Sequence, residues 1–419
     1  MIVFVSFSFK KGGAAVAAGK FRSIICRYTD RSSISISQDN FSMCQYIKRL
    51  ISYAFSKLQY DGNPIKHSLN LFSCGSVLNS FHDYKRLHHI HWINNETLSI
   101  FDFDKIPSGA IITLHDEWLY CGSEHYYKVL DDSRDFVGGY KFFKRGVWGV
   151  NWNFIIWKIK CQRLVGRKDL IFTVPSHWML GRAKESFMLK GADIRLLPNP
   201  IDTDQFVPFS EDRVYSFRRA LGFSPDDIIM VFGAVGGKTN YLKGSHLLEE
   251  ALSILSASLD RELSSKVKCL IFGGRGRGRG VIHGFESVSL GHIFDPSAMA
   301  LLYSSVDFVV MPSLVESFGQ VAAEALACET PVVSFVTSGL ADIVFHGETG
   351  FTAQFNCPVD LAENIKKIIM IGSESRVKLG QAGRRYIVRN FSYPVVALQY
   401  KKIIRDALLL KAASNKAGV

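Results

Sequence analysis

Short apolar runs alternate with segments of helical periodicity along most of the chain. An apolar run bounded by turn residues predicts a buried strand, and apolar residues every three or four positions predict a covering helix. Strands are predicted at residues 2–7, 69–74, 87–91, 110–114, 169–174, 194–197, 228–234, 267–272, 307–311 and 331–335. Helices are predicted at residues 14–26, 177–189, 244–257, 297–305, 320–328 and 358–370, with a terminal helix from residue 394. Such alternation is typical of parallel sheets covered by helices.

The chain length of 419 residues is too great for one ordinary hydrophobic core and is typical of two domains. A boundary is expected near residues 200–206, after a predicted strand. We therefore predict an α/β protein with two doubly wound, Rossmann-like domains that face each other across a cleft. The domains are predicted at residues 1–202 and 203–393, and residues 394–419 form a terminal helix able to pack back on the first domain.

Positive charge is concentrated in the first half of the chain. Residues 1–200 hold 27 Lys and Arg against 16 Asp and Glu, whereas residues 201–419 hold 23 against 22. A basic domain favours an anionic partner, which is a nucleic acid, an anionic membrane surface or a phosphorylated substrate. Eight cysteines are scattered singly, which favours reduced thiols in a cytosolic protein. No apolar run reaches transmembrane length, and the first residues are interpreted as a strand and not a signal peptide, because Lys10 and Lys11 follow at once.

Two carboxylates, Glu316 and Glu324, stand at a predicted strand-to-helix crossover. Ligands of open α/β sheets bind at this carboxyl end of the strands, and a helix N-terminus offers free amides and partial positive charge to an anion. Glu316 lies in the loop, where a sugar ring can reach it. Glu324 lies about one turn into the helix, where it can accept hydrogen bonds from two vicinal ribose hydroxyls. Four amides at the helix start suit a diphosphate, those of Phe318, Gly319, Gln320 and Val321.

The run from Glu316 to Glu324 resembles the donor site of retaining nucleotide-sugar glycosyltransferases of family 4, which have the GT-B fold. The segment Pro198-Asn-Pro-Ile-Asp202 is similar to a P-N-G-(I/V)-D segment at the family's domain junction, with Pro200 in place of the usual Gly. Residues 113–125 look like a subgroup that builds bacterial cell-surface polysaccharides. The resemblance implies a nucleoside-diphosphate sugar as co-substrate, with no further cofactor and no metal ligands.

The resemblance also implies cationic contacts to the donor. Lys243 precedes a glycine at a predicted helix start and matches a lysine that binds the donor diphosphate in the family. Many members carry an Arg six positions earlier. Here Gly237 stands at that position, so Lys238 beside it is the candidate second cation.

Three further candidate residues belong to the first domain. His115 ends a predicted strand and matches a family histidine near the sugar, with a purely structural histidine as the alternative. Gly12 and Gly13 separate the first strand from a helix, so they form either a phosphate cradle or a tight turn. In the resembled family this loop helps to shape the sugar and acceptor site, and we include both glycines among the donor-binding candidates.

Three segments suggest other functions. Asp102-Phe-Asp104 resembles a metal-binding Asp-x-Asp, but that motif belongs to glycosyltransferases of a different, single-domain fold, and a surface turn is predicted. The arginine- and glycine-rich residues 275–280 lack interleaved aromatics, so a mobile loop near the nucleotide is favoured over a nucleic-acid-binding tract. Aromatic and basic residues at 142–160 suit either a helix packed on the sheet or a membrane interface, and both interpretations stay open.

We therefore predict a retaining, metal-independent glycosyltransferase of hexosyltransferase type with Glu316, His115 and Lys243 as catalytic residues. It is expected to move a sugar from a nucleotide sugar to a lipid-linked oligosaccharide in surface polysaccharide biosynthesis. The expected place is the cytoplasmic face of the bacterial plasma membrane, on anionic lipid. The alternatives are a sugar-nucleotide epimerase of the same fold, or a non-catalytic basic module for nucleic acid. The intact site residues argue against the second alternative, and no nucleic-acid partner is expected.

Overall fold

The computed structural model describes residues 1–40, 42–83, 85–127, 134–233, 240–274 and 276–417. The chain divides into two units. Unit 1 comprises Met1–Pro200 together with Pro394–Val419, and unit 2 comprises Ile201–Tyr393. The terminal helix therefore belongs with the first 200 residues. Within the described ranges, none of the helices combines the length and the apolarity needed to cross a bilayer.

Unit 1 is built on a six-stranded, fully parallel sheet with the order β2-β1-β4-β5-β7-β8. Its strands are β1 (Ile2–Val5), β2 (Ser33–Ile36), β4 (Leu87–Ile90), β5 (Ile111–Thr113), β7 (Ile171–Val174) and β8 (Asp193–Leu196), and β3 (Gln59–Tyr60) pairs with β6 (Trp148–Gly149) in a separate antiparallel ribbon. The helices are α1 (Gly13–Tyr28), α2 (Met43–Ser56), α3 (Gly75–Phe81), α4 (Asp135–Gly138), α5 (Trp152–Leu164), α6 (His177–Glu185) and the terminal α14 (Tyr393–Ala417). Strands β1, β4, β5 and β7 are buried along their whole length, as expected of a parallel sheet covered on both faces.

Unit 2 is built on a seven-stranded sheet with the order β11-β12-β10-β9-β13-β14-β15, in which only β11 runs antiparallel to its neighbour. The strands are β9 (Ile228–Gly233), β10 (Val267–Phe272), β11 (Arg277–Ile282), β12 (Phe285–Gly291), β13 (Phe308–Met311), β14 (Val332–Phe335) and β15 (Gly350–Ala353). The helices are α7 (Glu211–Ala220), α8 (Ser245–Ser258), α9 (Arg261–Lys266), α10 (Pro296–Ser304), α11 (Gln320–Ala327), α12 (Pro358–Met370) and α13 (Ser373–Phe391).

Strand order fixes where a ligand is expected in each unit. In unit 1 the order reverses between β1 and β4, and in unit 2 it reverses between β9 and β13. The crevice outside the carboxyl ends of strands at such a reversal is the usual ligand position in open α/β sheets. Candidate residues follow the strands at both reversals: Gly12 and Gly13 follow β1, Lys243 lies between β9 and α8, and Glu316 follows β13.

The predicted strand at residues 69–74 is wrong. This segment is irregular, because Asn70 takes a left-handed backbone with φ 51°. Its buried side-chain amide donates to the carbonyls of Ile93, at 2.9 Å, and Leu98, at 3.1 Å, so it fastens a loop and not a sheet. β1 pairs with the predicted β4 on one side and with β2 on the other, and β2 was not predicted from the sequence.

Candidate active site

The turn before α8 is fastened to the loop that follows β13. A 3-10 helix, Tyr241–Lys243, ends at Gly244, which has φ 65° and is the N-cap of α8. A β-carbon at Gly244 would lie 1.8 Å from the carbonyl oxygen of Pro312, so only glycine permits this approach. The amide of Leu314 also donates to the carbonyl of Leu242 at 2.8 Å. This close contact brings Lys243 beside Glu316.

Lys243 and Glu316 form an ion pair, with 2.5 Å between Nζ and Oε1. The hydroxyl of Ser313 donates to the same Oε1 at 2.9 Å. The backbone is held as well, because the Glu316 amide donates to Oγ of Ser338 and the Gly339 amide donates to the Glu316 carbonyl, both at 2.8 Å. The Glu316 side chain is 14% exposed, so it is fixed at the edge of solvent. Sequence reasoning proposed both charged residues but not their contact.

The start of α11 offers amides to an anion beside this ion pair. Gly319 is the N-cap with φ 100°, and no side chain caps the helix. The first amides of the helix, at Gln320 and Val321, are therefore available for an anionic ligand. Phe318 contributes only its backbone, because its ring is 3% exposed and packs edge-on against Phe391 in the core of unit 2.

Glu324 lies in the second turn of α11 and is 9% exposed. Gln320 Nε2 donates to Glu324 Oε1 at 2.7 Å, which orients the carboxylate. Burial, and after it the charge of Glu324, raise the pKa of the Cys328 thiol to about 12. A buried carboxylate in this place is suited to accept hydrogen bonds from hydroxyl groups.

Lys238, the candidate second cation, lies outside the described residues. Gly12 has φ 94° and is the N-cap of α1, and a β-carbon added at Gly12 or Gly13 meets nothing within 4 Å. The preceding loop is ordered by Asp39, which accepts from the Ser8 hydroxyl at 2.5 Å and from the Phe9 amide at 2.9 Å. The positive φ of Gly12 fits a tight turn, and the open space beside Gly12 and Gly13 would admit a ligand. The loop therefore fits both the tight turn and the phosphate cradle.

His115 follows β5 and stacks on His91, which follows β4. Nδ1 of His91 lies 2.9 Å from Nε2 of His115, and the ring planes are 23° apart. Burial lowers the pKa of His115 to about 4, so the ring is neutral near pH 7. A neutral imidazole can hydrogen-bond to a substrate but does not serve as a general acid at that pH.

A polar network next to His115 was missed by sequence reasoning. Asp116 Oδ2 accepts from Trp92 Nε1 at 2.8 Å and lies 2.7 Å from His125 Nδ1, while His125 Nε2 lies 2.8 Å from Ser68 Oγ. Burial alone would raise the pKa of Asp116, but His125 and the hydrogen bonds from Trp92 and the Trp118 amide together lower it. The sequence did contain an indication of this network. Trp92 follows β4 and Asp116 follows β5, and the carboxyl ends of these neighbouring parallel strands lie side by side.

The Asp102 and Asp104 pair is in a 3-10 helix, Ile100–Lys105, and not in the predicted surface turn. Asp102 pairs with Lys105 at 2.7 Å, and Asp104 pairs with Arg163 at 3.0 Å. Each carboxylate is therefore engaged by a cation of the chain. Among the residues that the structure describes, no group of three or more His, Cys, Asp or Glu is arranged to hold a metal ion.

The glycine- and arginine-rich segment was also wrongly predicted. Residues 277–282 form strand β11 and not a mobile loop, and Arg279 binds Glu286 at 3.1 Å on the neighbouring strand. In the aromatic segment, Trp157 of α5 is 7% exposed and packs in the core, as expected of a helix against the sheet. Phe143 and Trp148, before α5, are exposed instead.

Comparison with known proteins agrees with this architecture. Residues 217–386 match the family model "Glycosyl transferases group 1". A D-inositol 3-phosphate glycosyltransferase of Corynebacterium jeikeium is 29% identical over 256 residues, which are 58% of this chain and 59% of that protein. The chain spans about half the length of the curated relatives it matches.

Two solved structures share the fold. Sucrose-phosphate synthase from Thermosynechococcus elongatus superposes with a TM-score of 0.63 and 16% identity, covering 97% of this chain and 99% of that one. The HepE protein of Anabaena, in complex with UDP and glucose, superposes with a TM-score of 0.60 and 15% identity over the same shares. The narrower resemblance to builders of surface polysaccharides remains a prediction. The chain has the GT-B fold with two Rossmann-like domains, as predicted, and residues 217–386 are similar to glycosyl transferases group 1.

Proposed function

We propose that the protein is a retaining glycosyltransferase that transfers a sugar from a nucleoside diphosphate to an acceptor hydroxyl without a metal ion. The observation that carries the proposal is the ion pair of Lys243 and Glu316 beside the uncapped start of α11. The Lys243 cation and the amides of α11 suit a diphosphate leaving group, and the Glu316 carboxylate suits the sugar attached to it.

The residues of unit 2 have different roles in the proposed reaction. In the transfer, the bond from the anomeric carbon to the diphosphate oxygen breaks, and its electron pair stays on the diphosphate. Lys243 and the amides of α11 stabilise that charge, while Glu316 holds the sugar and favours positive charge at its ring. Glu324 holds the ribose hydroxyls, so it contributes to donor binding.

The acceptor side completes the reaction. The oxygen of the acceptor hydroxyl forms the new bond to the anomeric carbon on the same face that the diphosphate leaves. Its proton passes to the departing diphosphate oxygen. Among the described residues we assign none as the second, nucleophilic carboxylate of the retaining glycosidases, so we propose same-face substitution over a covalent intermediate. His115 is proposed to hold the sugar or the acceptor as a neutral hydrogen-bonding group.

The proposed acceptor is a lipid-linked oligosaccharide of surface polysaccharide biosynthesis at the cytoplasmic face of the bacterial plasma membrane. The excess of basic over acidic residues in 1–200 supports an anionic environment for the acceptor. An inositol phosphate is the second candidate, because the curated relatives act on D-inositol 3-phosphate by name.

A donor panel tests the proposal. Purified protein is incubated with UDP-, GDP- and ADP-sugars, with UDP-glucose first because the HepE structure contains UDP and glucose. Release of nucleoside diphosphate with one donor, unchanged by EDTA, is the expected result, and product NMR should show retained anomeric configuration. Lipid-linked oligosaccharide and inositol phosphate are then compared as acceptors. Release of an epimer without an acceptor, or no release from any donor by folded protein, contradicts the proposal.

A further inference from the structure

Helix α2 of unit 1 packs with its polar face inward. Gln45 and Ser52 are 8% and 5% exposed. On the same side, Lys48 Nζ donates to the carbonyl of Ser73 at 3.0 Å, and the Arg49 guanidinium lies over the Phe7 ring. A helix at the surface of a soluble domain ordinarily does the reverse and buries its apolar face.

The outward face of α2 is apolar. Residues of α2 that point to solvent recur at helical spacing and are all 38% exposed or more, namely Met43, Tyr46, Ile47, Leu50, Ile51, Tyr53 and Phe55. A contiguous apolar face of this kind marks an interaction site, whereas single exposed apolar residues are ordinary.

The apolar face continues beyond the helix. The ribbon of β3 and β6 sets Tyr60 opposite Trp148, and each side chain is 73% exposed. Trp152 Nε1 donates to the Phe55 carbonyl at 2.7 Å, which ties the end of α2 to the start of α5. Phe143, at 88% exposed, lies in the loop that leads into β6. We call the exposed apolar residues of 43–60 and 142–148 the α2 surface.

The positive charges around the α2 surface favour an anionic partner. Residues 43–60 and 141–151 contain no Asp or Glu. Of their basic residues, Lys48 and Arg49 face inward and Lys144 pairs with Asp135, whereas three are exposed, namely Lys57, Lys141 and Arg145. Apolar and aromatic residues with basic neighbours fit the interface of an anionic bilayer, where Trp and Tyr rings lie at the headgroups. A second copy of this chain, docked by the same surface, would bring these like charges together.

We propose that the α2 surface docks unit 1 on an anionic lipid bilayer. Apolar side chains of α2 enter the headgroup region, and the exposed Lys57, Lys141 and Arg145 hold the anionic lipid. The inference rests on the proposed function for the reason to approach a membrane, since a lipid-linked acceptor lies there. This proposal places the membrane contact on α2 and the neighbouring ribbon and not on α5, whose Trp157 is buried.

The test uses the full chain and vesicles of phosphatidylglycerol with phosphatidylcholine, against phosphatidylcholine alone. The wild type should sediment with the anionic vesicles, and more so at low salt. Ile47→Ser with Leu50→Ser should lower the partition coefficient about tenfold or more, since both side chains supply apolar contact. Leu398→Ser with Leu409→Ser is the matched control on α14, where the side chains are 71% and 64% exposed, and it should change nothing.

Fluorescence gives a second measurement. Emission should shift to the blue with anionic vesicles, and Trp148→Phe should remove most of that shift. The proposal is overturned if anionic vesicles do not bind the wild type, if both serine pairs weaken binding equally, or if the Ile47 and Leu50 pair only converts a dimer to a monomer in sedimentation velocity. Donor hydrolysis without lipid should be unaffected by this pair. If the wild-type protein hydrolyses no donor, the proposed function is contradicted. The proposed membrane contact is then still judged by vesicle binding alone.

Discussion

Replacing Lys243 by alanine should damage catalysis far more than folding. The pair with Glu316 has a short contact of 2.5 Å, but Lys243 keeps 38% of its side chain exposed. Such a solvent-screened pair contributes at most about 1 kcal/mol to the free energy of unfolding. Glu316 also keeps its hydrogen bond from Ser313 when the lysine is lost.

The catalytic cost is expected to be larger because, in the proposed transfer, charge develops on the diphosphate in the transition state. Removing one preorganised electrostatic contact of this kind costs about 2.7–4 kcal/mol, which lowers kcat about 100- to 1,000-fold. The assay is initial-rate release of nucleoside diphosphate from the active donor, together with thermal unfolding of the same preparations.

Lys266→Ala is the matched control for this substitution. Lys266 pairs with Glu262 in the same unit at 2.9 Å, and that pair is more exposed. The control should leave both kcat and the unfolding temperature unchanged. The reasoning is refuted if Lys243→Ala keeps the wild-type kcat, or if it unfolds so much of the protein that stability alone explains the loss.

Four further outcomes are expected. Glu324→Ala should weaken binding of the free nucleoside diphosphate in calorimetry, by about 1.5–3 kcal/mol for each hydrogen bond lost, and unchanged affinity would remove Glu324 from the ribose role. Gly244→Ala should lower the unfolding temperature and donor turnover together, because φ 65° and the carbonyl of Pro312 both oppose a β-carbon; wild-type values for both would contradict the packing described. EDTA should leave turnover intact, and loss that Mn²⁺ restores would argue for a metal. Burial lowers the pKa of His89 to about 3 and of His115 to about 4, so the unfolded chain binds protons that the folded chain does not as pH falls below about 6.5. Each ring should therefore weaken folding by up to about 1.4 kcal/mol per pH unit between pH 6 and 4, and denaturant unfolding with a flat pH profile over this range would contradict it.

The apolar runs of the sequence identify the interior strands well. β1, β7, β9 and β13 are continuous apolar segments because helices cover the sheet on both faces. The strand β2, with the sequence Ser-Ile-Ser-Ile, is an edge strand and only half buried, so its apolar content is too low to stand out.

Other features depend on partners that are distant in sequence. Asn70 breaks a predicted strand because its amide has two carbonyl partners more than twenty residues away. The ion pair of Lys243 and Glu316 joins positions 73 residues apart, so a sequence pattern proposes each residue but not their contact. Helix α2 was not predicted from the sequence. Its inward face is polar, so an apolar pattern does not indicate which side of the helix packs on the unit.

The return of α14 to unit 1 has a consequence for synthesis on the ribosome. The Tyr400 hydroxyl of α14 lies 2.5 Å from His89 Nδ1 in the buried interior of unit 1. Asp406 of the same helix pairs with Arg195, and Lys411 donates to the Arg86 carbonyl. These contacts cannot form until unit 2 has been translated, which takes about 10–40 s at about 5–20 residues per second. Throughout that interval the nascent first unit exposes the face that α14 later covers. We expect ribosome-bound chains that end before residue 394 to recruit chaperones and to be cleaved readily by protease, and completed chains to resist both.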